Sequence, residues 1–238
     1  KDRSLQDMIP LLAQLPLVGQ PGTASRYSIS SDVLGYLVEI FSGLSLRDFF
    51  KKRLFEPLDM TDTDFHAPED KHHRFATNYS PSVKGLRVID APATGAFSSP
   101  PRLHSGGGGL VSTASDYLQF AHLLLNQGTW NGASLLGRKT VEPMTTNHLL
   151  PGLLPIQLGG NPIPGHGFGL GVAVLTDVAQ SENLGSVGEY RWGGAASTAF
   201  WVDPKEKLVG LLMTQLMPAG HYPIRSEFKT LVDQALIA

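Results

Sequence analysis

Apolar residues recur at intervals of three and four through the first half of this chain and near its end, and at intervals of two in a late central stretch. Leu5, Met8, Ile9, Leu12 and Leu15 share one side of a helix over Ser4 to Leu15, which Pro10 either starts or kinks. Val33, Leu34, Leu37, Val38 and Phe41 predict a helix over Ser30 to Phe41. Its cap is Ser30 or Ser31, its first turn carries Asp32 where a carboxylate suits the helix dipole, and Gly43 stops it. A second helix follows from Ser45 to Phe55 and ends before Pro57. Thr113 or Ser115 caps another that runs to about Asn126, and Gly137 to His148 reads as one more, interrupted by Pro143. Phe228, Leu231, Val232 and Ala235 predict a last helix over Ile224 to Ile237, packed across strands.

The period-two stretch begins where Phe168, Leu170, Val172 and Val174 alternate with small residues, which predicts a strand. Further on, the apolar region around Ala199, Trp201 and Val202 and the run from Leu208 to Met213 flank Asp203-Pro204-Lys205-Glu206. Two such runs around a four-residue turn predict an antiparallel hairpin, and their nearly continuous apolar character places it centrally, with both faces buried. Between helices and strands, residues 61–105 form a long loop rich in Asp, His, Pro, Ser and Gly, punctuated by short strands or turns. Leu149 to Pro164 is a Pro/Gly/Leu-rich loop suited to line or cover a pocket. The expectation is a mainly helical lobe over 1–150, then a three-stranded antiparallel sheet with a closing helix over 151–238, without internal repeats or a dividing linker.

Composition narrows the function classes. Net charge is −2, 42% of residues are hydrophobic and 17% charged, as in an ordinary soluble globular protein. The 19 basic residues are scattered apart from Lys51-Lys52-Arg53, a solvated helix face, so no nucleic-acid partner is expected. Cysteine is absent, which removes disulfides, thiolate metal sites and a cysteine nucleophile. No apolar segment is long enough for a membrane span, and the first residues lack the apolar core of a signal peptide; the compartment stays open. Gly106 to Gly109 lack the Lys-Ser or Lys-Thr of a phosphate loop and follow no strand, which speaks for tight packing at a helix start rather than nucleotide binding. His66, His72 and His73 show no metal-ligand spacing, and neither a metal nor a cofactor is expected. His104, just before the glycine run, is the histidine best placed to border a cleft.

The pair Gly193-Gly194 after Trp192 has two readings. The glycines start a strand where another chain segment comes close, or they leave a strand margin without side chains, along which a substrate can meet main-chain N–H groups. On the second reading Ala195 supplies the N–H for a developing oxyanion. Tyr27, ahead of a helix in Arg26-Tyr27-Ser28, is either a core aromatic at a helix entrance or a proton relay.

Four blocks in order carry a resemblance: PLVGQPGTASRYS (Pro16 to Ser28), LFEPLDMTDTDF (Leu54 to Phe65), SGGGGLVSTASDYLQFAHLLLNQG (Ser105 to Gly128) and EYRWGGAASTAFWVDPKEKLVGLLMTQL (Glu189 to Leu216). Together they resemble the serine β-lactamase and penicillin-binding protein superfamily. The similarity is to its class C-like branch and the family VIII carboxylesterases, where Trp-Gly-Gly replaces a Lys-Thr-Gly strand motif. The resemblance implies an α+β fold of the serine β-lactamase/DD-peptidase type, an antiparallel sheet with flanking helices plus a mainly helical lobe. It implies two-step acyl transfer: a Ser-x-x-Lys serine attacks a carbonyl, its lysine and Tyr27 manage the proton, and the Ala195 N–H with the serine's own N–H holds the oxyanion. Trp192, Gly193 and Gly194 are implied to line the substrate.

Ile29 stands where peptidoglycan enzymes carry an Asn that binds the substrate amide, and Trp192 stands where a lysine would draw a carboxylate. Both departures point to neutral esters. In the family Ser-x-x-Lys precedes the tyrosine by roughly a hundred residues, so the N-terminal strands and the nucleophile are expected outside these residues, in a missing N-terminal segment or a companion chain. Ser226-Glu227-Phe228-Lys229 matches the motif but lies in the last helix, where Phe228 belongs to the buried face, and reads as coincidence. No Gly-x-Ser-x-Gly is present. The reading is an esterase acting on a small-molecule ester; the alternatives are a binding or scaffold protein without a nucleophile, and a β-lactamase or D-amino-acid peptidase.

Overall fold

A computed structural model describes residues 3–237, which form two compact units: 1–77 with 90–116, and 78–89 with 117–238. This division differs from the 1–150/151–238 split read from the sequence, because residues 78–89 of the long loop belong with the second unit.

The first unit holds α1 (Leu5–Leu12), α2 (Ser30–Ser42) and α3 (Leu46–Phe50). Ser4 and Asp7 form a reciprocal capping box that starts α1, and Pro10 lies inside it. The cap expected of Ser30 or Ser31 is not made: Ile29 occupies the N-cap of α2 without a side-chain bond. Asp32 is instead buried, and its Oδ1 accepts a 2.5 Å hydrogen bond from Ser105 Oγ and a longer one from Gly107 N–H. The glycine run therefore packs on the first turn of α2, where a Cβ on Gly106 would overlap the Ser31 carbonyl oxygen. Ser45 caps α3 through the Asp48 N–H, and a π-helical turn over Lys51–Phe55 completes the predicted second helix. Leu5, Leu46 and Phe65 centre this unit's core.

The second unit contains β1 (Asn78–Ser82), β2 (Gly85–Asp90), most of α4 (Ala114–Leu125, which begins in the first unit), β3 (Thr129–Trp130), β4 (Ala133–Ser134), α5 (Arg138–Met144), β5 (Gln157–Leu158), β6 (Asn161–Pro162), β7 (His166–Phe168), β8 (Ala173–Leu175), β9 (Tyr190–Gly193), β10 (Ala199–Asp203), β11 (Leu208–Leu212) and α6 (Ile224–Gln234). Thr113 accepts the Asp116 N–H and caps α4, as expected. The main sheet is five-stranded and antiparallel, in the order β11-β10-β9-β8-β7, rather than three-stranded. The difference arises at residues 168–174, where Gly171 at φ +108° lets the chain reverse and pair Phe168 with Ala173, turning one predicted strand into a hairpin.

The β10–β11 hairpin forms as expected, and Asp203 Oδ1 accepts from the Lys205 and Glu206 N–H groups in its turn. It is not wholly central, however: β10 is interior, whereas β11 has no second partner strand among the described residues. Ala121, Leu124, Val174, Tyr190, Phe200 and Val202 form the core between α4 and the sheet. On the opposite face of β10, Trp201 meets Phe228 of α6 edge-to-face at 5.7 Å.

The last helix does not bury the face that its apolar spacing predicted. Leu231 is 66% exposed and Ala235 exposed, while Lys229 is buried. Lys229 Nζ donates to Glu189 Oε2 at 2.7 Å and to Asp233 Oδ2 at 2.9 Å, and lies 5.0 Å from the centre of the Trp201 ring. This non-local ion cluster fixes the rotation of α6, which no local pattern encodes.

Candidate active-site turn and its surroundings

The strands β9 and β10 are joined through Gly194-Ala195-Ala196-Ser197-Thr198. The Gly194 carbonyl accepts from Ser197 N–H at 3.2 Å, and the Gly194 N–H donates to the Thr198 carbonyl at 3.0 Å. With Ser197 in the left-handed region at φ +68°, this is a three-residue hairpin loop: one β-turn, then a bulge residue. Ser197 holds that conformation because it is buried, with its Oγ donating to the Leu216 carbonyl at 2.8 Å. The Ala196 carbonyl is held in turn by Thr214 Oγ1 and the Leu216 N–H. The 215–217 segment is itself laced to Tyr79 of β1 through two main-chain bonds, which explains why residues 78–89 belong to this unit.

The second residue of such a turn keeps its N–H out of the turn's own hydrogen bond. Ala195 occupies that place; it is exposed, and among the described residues no hydrogen bond takes its N–H. The neighbouring β8 pairs with β9 at Tyr190 and Arg191, so its register ends before Trp192. The structure thus brings Trp192, Gly193, Gly194 and Ala195 together as a strand end running into a fixed turn. Both glycines also have close neighbours, as the packing reading required. A Cβ on Gly193 would lie 3.1 Å from Arg225 Cζ, and one on Gly194 would overlap Thr198 Oγ1.

A hollow of about 190 Å³ lies along this margin, lined by Trp192, Gly193, Gly194, Phe200, Met213 and Tyr117 among others. Its walls are mainly apolar side chains. Tyr117 packs edge-on against Phe200 at 5.2 Å, and burial raises its phenol pKa, keeping it neutral. Trp192 turns its indole toward the core, edge-to-face with Phe168 at 5.4 Å. Sequence reasoning missed Tyr117, although Tyr117, Phe120, Ala121 and Leu124 form a helical stripe that marks it as inward-facing.

Tyr27 belongs to the first unit, in irregular chain leading into α2. It is 57% exposed, which is not the environment of a core aromatic. A larger hollow of about 460 Å³ in the same unit holds none of the nominated residues. Its charged and hydroxyl lining is largely committed: Asp62 pairs with Lys71 and Arg74, and Thr63 donates to the buried Asp116. His104 lies against Phe65 at 4.9 Å, and burial holds its pKa below the ordinary value, as for a packing residue. His72 binds the Ala67 carbonyl, and no group able to hold a metal occurs among the described residues. Ser226 Oγ donates to the Pro223 carbonyl while Lys229 serves Glu189 and Asp233, an arrangement unlike a nucleophile and its base. No helix among the described residues is long and apolar enough to cross a membrane.

These features define a chain of the β-lactamase type, and comparison bears this out: the Beta-lactamase family model matches residues 1–233, and the chain belongs to that family. Among particular relatives, it is 38% identical over 214 residues to Protein Rv1367c of Mycobacterium tuberculosis, covering 87% of this chain and 52% of that protein. It is 31% identical over 216 residues to the Lovastatin esterase of Penicillium rubens, covering 82% and 51%. The solved structure of EstCE1, a hydrolase with promiscuous acyltransferase activity, superposes with a TM-score of 0.80 at 25% identity, covering 97% of this chain and 62% of that one. The chain thus spans about half the length of the curated relatives it matches.

Proposed function

We propose that this chain is part of a serine carboxylesterase that works through an acyl-enzyme, with its nucleophile in polypeptide outside residues 1–238. The observation that carries the reading is the Ala195 N–H: exposed, without a hydrogen-bond partner among the described residues, and fixed in a turn pinned at the carbonyls on either side of it. A donor held in place before reaction stabilises an oxyanion without reorganising, and removing one such donor typically costs 10²–10³-fold in rate. In the first step a serine oxygen adds to the ester carbonyl and the alcohol leaves with a proton relayed by Tyr27. In the second, water displaces the acyl group as a carboxylic acid and the serine regains its proton.

The hollow beside Gly193 and Gly194 would form one wall of the acyl site, completed by the polypeptide that carries the nucleophile. Its apolar walls, with Ile29 and Trp192 in place of amide- and carboxylate-binding side chains, favour neutral esters over β-lactams and peptides. The promiscuous acyltransferase activity of EstCE1 favours a second reading at the same site, in which an alcohol discharges the acyl-enzyme in place of water.

The test is hydrolysis of p-nitrophenyl esters by the longest natural form of the protein. Acetate or butyrate should turn over, and Tyr27→Phe should lower kcat by about 10²–10⁴-fold with the fold intact. Unchanged kcat in Tyr27→Phe would remove the tyrosine from the mechanism; no turnover of any ester would remove the esterase reading.

A further inference from the structure

Arg225, in the first turn of α6, is in an unusual position for a cation. It is partly buried, and among the described residues no carboxylate pairs with it and its buried Nε has no hydrogen-bond partner. Buried charges ordinarily find an opposite charge, and buried donors an acceptor. Arg225 instead places Nη2 on the Gly194 carbonyl oxygen, which also accepts from Ser197 N–H. A Cβ on Gly193 would press on the guanidinium, 3.1 Å from both Cζ and Nη2, so the glycine eases its approach.

The Gly194 carbonyl and the Ala195 N–H belong to one planar peptide unit. In a trans unit the two bonds point in opposite directions, so whatever holds the oxygen aims the hydrogen. We propose that Arg225 is a positioning residue for the oxyanion site: by clamping the Gly194 oxygen it fixes the plane of the Gly194–Ala195 peptide and directs the Ala195 N–H away from α6, toward bound substrate. A guanidinium on the carbonyl oxygen also draws electron density through the amide, which makes the Ala195 N–H a stronger donor. Arg225 itself touches no reacting atom. Its carbonyl bond accounts for a cation without a carboxylate, and its place beside Gly193 gives that glycine a second purpose besides an open margin.

The inference rests on the esterase reading, and its test separates the two. The longest natural form of the protein is assayed with p-nitrophenyl acetate and with its thionoester, in which sulfur replaces the carbonyl oxygen and gains much less from an N–H donor. The wild type should hydrolyse the oxygen ester much faster than the thionoester. Arg225→Met should lower kcat for the oxygen ester about 10- to 100-fold. KM and the thionoester rate should each stay within about threefold, so that the oxygen-to-sulfur ratio collapses. Arg225→Lys, which keeps a cation in reach of the carbonyl, should recover part of that ratio, and it carries the comparison if the Met variant fails to fold by circular dichroism. A wild-type ratio in a folded Arg225→Met protein, or in Arg225→Lys a raised KM with kcat and the ratio unchanged, would overturn the proposal while leaving the esterase reading intact. Absence of ester turnover in the wild type would overturn both.

Discussion

His166 shows how a single side chain ties this fold to pH. It is 2% exposed on β7, with Nδ1 2.8 Å from the Pro164 carbonyl, and burial pushes its pKa from 6.5 to about 4, with the Arg191 charge acting in the same direction. The unfolded chain therefore binds a proton here between about pH 6.5 and 4 that the folded chain refuses. Stability is complete above the unfolded value and declines as pH falls toward the folded one, by about 3 kcal/mol in all. Urea unfolding of the natural protein across that window should show this slope, and His166→Gln should flatten it; equal slopes would mean that His166 is not buried as described. At the same scale, Trp192 to Ala195 could be nominated as a candidate site because the family motif and the turn chemistry are both local in sequence. Arg225 could not: nothing around it marks a cation that binds a carbonyl 31 residues away.

Among the elements, the hairpin around Asp203-Pro204 was legible because its turn residues and flanking apolar runs lie within a dozen positions. The β7–β8 hairpin was not, since Gly169-Leu170-Gly171 continues an apolar/small alternation that looks like unbroken strand, and the positive φ of Gly171 becomes evident from the backbone. The orientation of α6 shows the limit of periodicity more sharply. Phe228 and Leu231 suggested the buried side, but Lys229 turns inward to Glu189, 40 residues earlier, and to Asp233, leaving Leu231 outside. Removing the lysine would strand two buried carboxylates, and burial already raises the Glu189 pKa against the opposing pull of Lys229. Lys229→Met should destabilise the protein by about 3–5 kcal/mol in chemical unfolding, whereas Ser226→Ala should leave both stability and ester turnover unchanged. Loss of turnover in Ser226→Ala would restore the Ser-x-x-Lys match as chemistry.

For the molecule as a whole, the α+β class followed from the order of periodicities, helices first and antiparallel strands later, and the family model over residues 1–233 agrees. The division into units was not legible, because it depends on main-chain bonds between Tyr79 and residues 215 and 217 that no sequence pattern announces. The same bonds give the long loop a purpose: they steady the segment on which the turn around Ala195 rests. The central claim is that these residues hold a prepared oxyanion site and a tyrosine for a serine supplied elsewhere in the polypeptide. Labelling the longest natural form of the protein with a p-nitrophenyl alkylphosphonate, followed by peptide mass mapping, tests it most directly. The account predicts one phosphonylated serine, outside residues 1–238, formed more slowly in Tyr27→Phe; a label on Ser226, or a protein that hydrolyses esters yet takes no label, would contradict it.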